Sequence, residues 1–341
     1  MGKRNINPSI SIIRVAAMLS IVFGHICSWK GINLYQLGGI GVEVFLFVSG
    51  YLYGKKRISD PKRWLAARVE RVLVPFWTLS LCLVAFLAIN GKHERALTQF
   101  VSTLLNLQGL NRIFYLIPEI GAANLGGIKH CWFLTVIMVC YTLVVLLKNS
   151  KLESAVDKHP RTSLLLAGVA QIVCAYAGIQ LSYVIQFFIG YFYCRAEDRL
   201  SHTKGRVLSI ATVAMIAACI IRLSANRIID GTIFYDRVIA RVSFVIIASW
   251  IFLLMDAVCC RLGELAQRIA NSKIWLKLDE LSYPIFLVHY MFMQEPFSVD
   301  MYIDNTYIQI FSVLLLTFGA AIVLDKVNRS VSGYFLGMHK Q

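Results

Sequence analysis

The sequence predicts an all-α fold: a polytopic integral-membrane bundle of about ten transmembrane helices. Three observations predict it. Of 341 residues, 57% are hydrophobic and only 16% charged, whereas a soluble domain carries about 45–50% apolar and roughly 25% charged residues. The apolar residues fall into runs of about the length a helix needs to span hydrocarbon. The net charge of +15, from 34 basic and 19 acidic residues, gathers in the short breaks between those runs. That is how loops facing anionic headgroups look, and not how a nucleic-acid-binding domain looks.

The first predicted span runs 9–29 and the second 35–53, followed by a strongly basic segment, 54–71. The third covers 72–89. A long break of mixed polarity, 90–129, carries Gly121, Gly126 and Gly127. Further spans are expected at 131–147, 163–177, 181–193, 207–223 and 238–259. An amphipathic piece, 260–275, precedes the last two, 281–297 and 307–324. The long first run lacks a small-residue cleavage pattern and is expected to stay as a helix. Nothing separates a soluble domain, so one membrane domain is expected over 1–341. The nine cysteines show no CxxC pair or zinc-ligand spacing, so neither a metal site nor a disulfide framework is expected.

Alternate breaks are rich in Lys and Arg, which puts them, and both termini, on the cytoplasmic side of a bacterial inner membrane. The seventh break departs from the rule, because Arg222, Arg227, Arg237 and Arg241 would face out. Either the span count is wrong there or these arginines meet something anionic.

Ionisable residues within spans are costly, so each is a functional candidate. Arg14 and His25 share the first span. Eleven residues make three helical turns plus roughly 20°, so both lie on one face, about 16 Å apart along the axis. Glu43 lies within the second span and His289 within the ninth, after Tyr283 and Pro284. The plainer reading has Arg14 snorkelling to headgroups and His289 hydrogen-bonded in the packing.

Arg14, ten intervening residues and His25 resemble the signature of the membrane-bound acyltransferase 3 family. Three further stretches match in the same order: Gly41-Val42-Glu43-Val44-Phe45-Leu46-Phe47-Val48-Ser49-Gly50-Tyr51; Arg68-Val69-Glu70-Arg71 with Pro75-Phe76; and Leu281 through Tyr283-Pro284 to His289. His130-Cys131-Trp132-Phe133-Leu134 is similar to a segment of the branch that modifies surface polysaccharides, with Cys131 where that branch often has Leu.

The resemblance implies transfer of an acetyl or other acyl group from acyl-CoA to a hydroxyl of a surface glycan or lipid-linked sugar. Acetyl-CoA would be a donor substrate, with no permanently bound cofactor and with membrane lipids as surroundings. His25 is expected as the base, since an unperturbed imidazole titrates near 6.5; an acyl-imidazole is a variant of that role. Arg68 and Arg71, three apart, would read the phosphates of CoA. Arg14 would orient the donor or stabilise an oxyanion. Glu43 would pair with Arg14 or hold one tautomer of His25. His130, Trp132, Tyr283 and His289 are the expected substrate-binding residues, His130 and Trp132 toward the acceptor sugar. Ser49-Gly50 is expected to permit close helix packing. A glycan or lipid transporter is the competing reading, since buried Arg and His suit ion coupling, although inverted repeats are not seen. A non-catalytic scaffold would leave the buried charges without a return.

Overall fold

The computed structural model describes residues 7–34, 36–110, 113, 128–177, 179, 181–200, 203–229, 231–232 and 234–338, and the side chains of all of these but 93–95 and 331–338. The glycines 121, 126 and 127 of the long break lie outside the described residues. Every regular element described is helical. In chain order these are α1 (Pro8–Trp29), α2 (Gln36–Gly54), α3 (Pro61–Ile89), α4 (His93–Leu104), α5 (Trp132–Lys148), α6 (Leu152–Lys158), α7 (Pro160–Tyr176), α8 (Ser182–Leu200), α9 (Lys204–Ile229), α10 (Ala240–Leu262), α11 (Glu264–Ala270), α12 (Lys273–Val288) and α13 (Thr306–Met338). Among the described residues, seven helical stretches are long and apolar enough to cross a membrane: α1, α2, α3, Lys129–Lys148, α9, Tyr235–Leu262 and Thr306–Ser330. The helices α7, α8 and α12, which match the other three expected spans, are shorter or more polar. The chain is a multi-pass, all-α membrane protein.

Two expected boundaries move. The basic segment before the third span is largely helix. Pro61 at the first helical position and Asp60 as N-cap, accepting from the Arg63 N–H at 3.0 Å, start α3 well ahead of the apolar run. Arg68 and Arg71 therefore stand on a helix. The ninth expected span, 281–297, is instead the end of α12 followed by a 3₁₀ turn, His289–Met293.

The described chain forms two compact units. The first comprises residues up to 24, 33–58 and 143–279. Its centre is the pair α2 and α8, whose backbones touch: a Cβ on Gly50 would sit 1.8 Å from the Phe187 carbonyl oxygen, and one on Gly190 2.1 Å from that of Phe47. Without side chains at the crossing, the two helices approach as membrane helices do at small residues. Packed on them are α7 and α10, with α9 laid on α10. Nearly all of α9 is exposed apolar surface, suited to lipid. At the end of α2, Arg195 Nε donates to the Gly54 carbonyl at 2.9 Å and also pairs with Glu153 and Asp157, so a helix-end acceptor is satisfied.

The seventh-break arginines belong to this unit and are in part spent within the protein. Arg222 donates to Gln36 Oε1 (3.0 Å) and the Ala240 carbonyl (3.2 Å). Arg241 donates to the Tyr183 hydroxyl at 2.6 Å. A π turn, Tyr235–Ile239, leads directly into α10, so Arg222 and Arg241 are helical residues with protein partners, not an outward anion patch.

The second unit comprises residues 25–32, 59–142 and 280 onwards. Here α4 folds onto α3 around a buried polar knot of Ser80, Gln99 and Thr103, with bonds of 2.8–3.0 Å. The α13 helix also packs on α3. The Tyr283 hydroxyl donates to the Val72 carbonyl and so ties α12 to α3.

Candidate active site

The second unit brings three imidazoles together. α12 stops at Val288, which leaves its last carbonyls without helical N–H partners. The histidines supply donors. His289 Nδ1 lies 2.8 Å from the Phe286 carbonyl oxygen and 3.3 Å from that of Ile285. His130 Nε2 lies 2.6 Å from the same Phe286 oxygen, which has two lone pairs to offer. His25 Nδ1 is 2.7 Å from His289 Nε2, and the two rings stack with centroids 5.0 Å apart. The ring of His130 stands edge-on to that of His289 at 4.6 Å. Tyr290 closes the group, its ring 4.8 Å from His25.

These contacts fix the tautomers of neutral rings. A carbonyl only accepts, so His289 carries its proton on Nδ1 and presents a lone pair at Nε2. His25 must then donate from Nδ1, and the lone pair of His25 lies on Nε2. The pair has the logic of an orienting group behind a base, with an imidazole where a carboxylate would stand in a triad. The negative end of the α12 dipole lies at Phe286 and favours the positive charge that arises when His25 takes a proton. Burial separates the roles: His289 is 0% and His130 5% exposed, whereas His25 is only partly buried. Among the three, His25 is the least buried.

Other expected site residues take different places. Arg68 stacks on Trp64, its guanidinium 5.2 Å from the ring, and Arg71 is exposed on the same helix. Trp132 sets its ring beside Phe133 at 6.4 Å, and its carbonyl underlies Gly109. The hydroxyl of Tyr283 goes to the helix tie already described.

In the first unit, Arg14 does not pair with Glu43. Asp279, midway along α12, grips it through two bonds, Nε to Oδ1 at 3.0 Å and Nη2 to Oδ2 at 2.6 Å. This is the two-point match of guanidinium to carboxylate. Glu43 is fully buried, its carboxyl oxygens have no hydrogen-bond donor among the described residues, and its cationic neighbour is Arg241. The partner of His25 Nδ1 is His289. Sequence reasoning missed Asp279, Tyr290 and Arg241 as partners. Asp279 had a local signal, an acid two residues before the Leu281-Ser282-Tyr283 stretch. Tyr290 adjoins His289. Arg241 stood out only as a charge in the wrong break. Among the described residues no group of His, Cys, Asp or Glu could hold a metal ion.

The model of an acyltransferase domain, acyltransferase 3, matches residues 7–326. The chain belongs to the acyltransferase 3 family. This membrane acyltransferase transfers groups other than amino-acyl groups, and the matched region takes in every site residue named above. No curated protein and no solved structure matches the chain.

Proposed function

We propose that this acyltransferase moves an acetyl or similar acyl group from acyl-CoA to a hydroxyl of a cell-surface glycan or lipid-linked sugar at the bacterial inner membrane. The observation that carries the reading is the ordered pair His25–His289, which leaves a lone pair on Nε2 of His25, the least buried imidazole of the cluster. In the reaction, His25 Nε2 takes the proton of the acceptor hydroxyl as its oxygen attacks the thioester carbonyl. The tetrahedral adduct then expels the CoA thiolate, which receives that proton from His25. An ester and free CoA thiol result, and the base returns to its starting state. His289 holds the ring of His25 and shares the transient charge.

Arg68 and Arg71 serve the donor, because a helical pair three residues apart at the polar start of α3 suits the phosphates of CoA. His130 steadies the carbonyl that orients His289. With both termini in the cytoplasm, His25 lies toward the outer end of α1, where a surface glycan arrives.

Two readouts test this. Acetyl-CoA should raise the melting temperature of the purified protein, and Arg68→Ala with Arg71→Ala should remove that shift. The His25→Gln variant should insert normally yet leave the envelope glycan without its base-labile ester acetate. A wild-type protein indifferent to acetyl-CoA, or a His25→Gln strain with full ester content, contradicts the proposal.

A further inference from the structure

One turn beyond His25, α1 ends in a built polar cluster that the chemistry above does not use. Gly31, at φ +66°, caps the helix: the Ile32 N–H returns to the Cys27 carbonyl at 2.8 Å. The cap leaves Trp29 as the last residue of α1 and Lys30 in the turn that follows. The Trp29 indole N–H donates to Asp300 Oδ2 at 3.1 Å. The Lys30 ammonium lies 3.4 Å from the centre of the same indole ring and bonds Gln309 Oε1. Gln309 is buried and also donates to the Ile303 carbonyl. Asp300 sits in a 3₁₀ turn, Val299–Met301. A hydrogen bond from Ser298, then that from Trp29 and the charge of Lys30, hold its carboxyl below the usual carboxylate range. Asp300 is thus an ionised acceptor at neutral pH.

This is not how a membrane-interface tryptophan stands. Such a side chain offers its ring to lipid and its N–H to water or headgroups. Trp29 has an ammonium over its face and a carboxylate on its N–H. The cluster combines an indole, a carboxylate, an ammonium and a primary amide, with charges that offset one another. Few, fixed polar groups beside an aromatic ring are what orient a small polar ligand. Sugar hydroxyls both donate and accept, so they can meet all of these groups at once. His25 and Trp29 are four residues apart and so neighbours on one helix face, about 6 Å apart along the axis. That step is about the width of one sugar ring.

We infer that Trp29, Lys30, Asp300 and Gln309 form the acceptor subsite, which binds an uncharged sugar ring and sets one of its hydroxyls at His25 Nε2. The inference rests on the acyl-transfer reading and deepens it. It makes the acceptor a neutral sugar, because the charges of Lys30 and Asp300 offset one another.

The test uses the full chain in a strain lacking its own copy, with envelope ester acetate as one readout and the acetyl-CoA-induced melting shift of the purified protein as the other. Trp29→Phe, Asp300→Asn and Lys30→Met should each cut ester acetate by about tenfold or more, the loss of a fixed polar contact to a substrate. Each should keep the wild-type melting temperature and the wild-type response to acetyl-CoA. Ester content within twofold of wild type in all three variants overturns the subsite. So does a loss of the acetyl-CoA response, or a collapse of folding in all three, since either makes the cluster a structural anchor. A wild-type protein with no acetyl-CoA response, or an active His25→Gln variant, would instead sink the acyl-transfer reading.

Discussion

The two units place ionisable groups in apolar helices and satisfy them in different ways. In the first, Arg14 is taken by Asp279 through two bonds, while Glu43 faces Arg241 without a hydrogen-bond donor among the described residues. In the second, three histidines share two helix-end carbonyls and one another, and one of them remains partly exposed with a nitrogen to spare. The difference separates structural charge from chemistry. A carboxylate and a guanidinium that match in charge and shape neutralise each other. A chain of imidazoles passes its hydrogen bonds along in one direction, so it ends on an unused lone pair.

The largest effect expected from breaking this contrast is at its open end. His25→Ala should lower acylation by ~10²–10⁴-fold, the usual range for a positioned general base. Envelope ester acetate and CoA-thiol release both read it, with membrane levels of the protein unchanged. His289→Ala should follow with a loss of about 10²-fold, because the His25 ring loses its tautomer and orientation. His289→Asn sharpens the point: its amide can still donate to a carbonyl and accept from His25, so it should recover part of the rate. An Asn variant no better than Ala would make His289 a packing residue.

In the first unit the losses should be of stability. Asp279→Asn leaves Arg14 without its countercharge. A fully buried pair broken this way costs about 3–5 kcal/mol, and the one-third exposure of Arg14 reduces that to roughly 1–3 kcal/mol. A lower melting temperature checks it, with recovery expected in the exchanged pair Arg14→Asp with Asp279→Arg. Gly50→Ala should cost a further ~1–3 kcal/mol by forcing α2 from α8, since the added methyl meets the Phe187 carbonyl. The smallest effect belongs to Tyr283→Phe, about 1 kcal/mol for one hydrogen bond to Val72. Glycan acylation should persist in that variant.

Much of this arrangement was legible in the residues. The apolar runs located α1, α2, α5, α9, α10 and α13 nearly as they stand, because a bilayer demands length and hydropathy of each span independently. Gly50 was legible as a packing residue for the same kind of local reason. Where helices start and stop was less so: Pro61 and Asp60 extend α3 into a segment whose charge suggested a loop. His25, His130 and His289 could each be singled out as polar groups in apolar surroundings. Their union could not, since it depends on α12 ending at Val288 and exposing the Phe286 carbonyl. Asp279 was hidden by the 265 residues that separate it from Arg14. Pairing of charges across such a distance follows from the fold and leaves no trace in spacing.

The central claim is that His25 keeps its proton on Nδ1 and its lone pair on Nε2. Solid-state NMR of the ¹⁵N-histidine-labelled protein in lipid at neutral pH reads this directly, with His25→Gln to assign the signals. A protonated Nδ1 on His25, coupled to an unprotonated Nε2 on His289, is the predicted result. A His25 signal with the proton on Nε2 would leave the active site without its base and contradict the account.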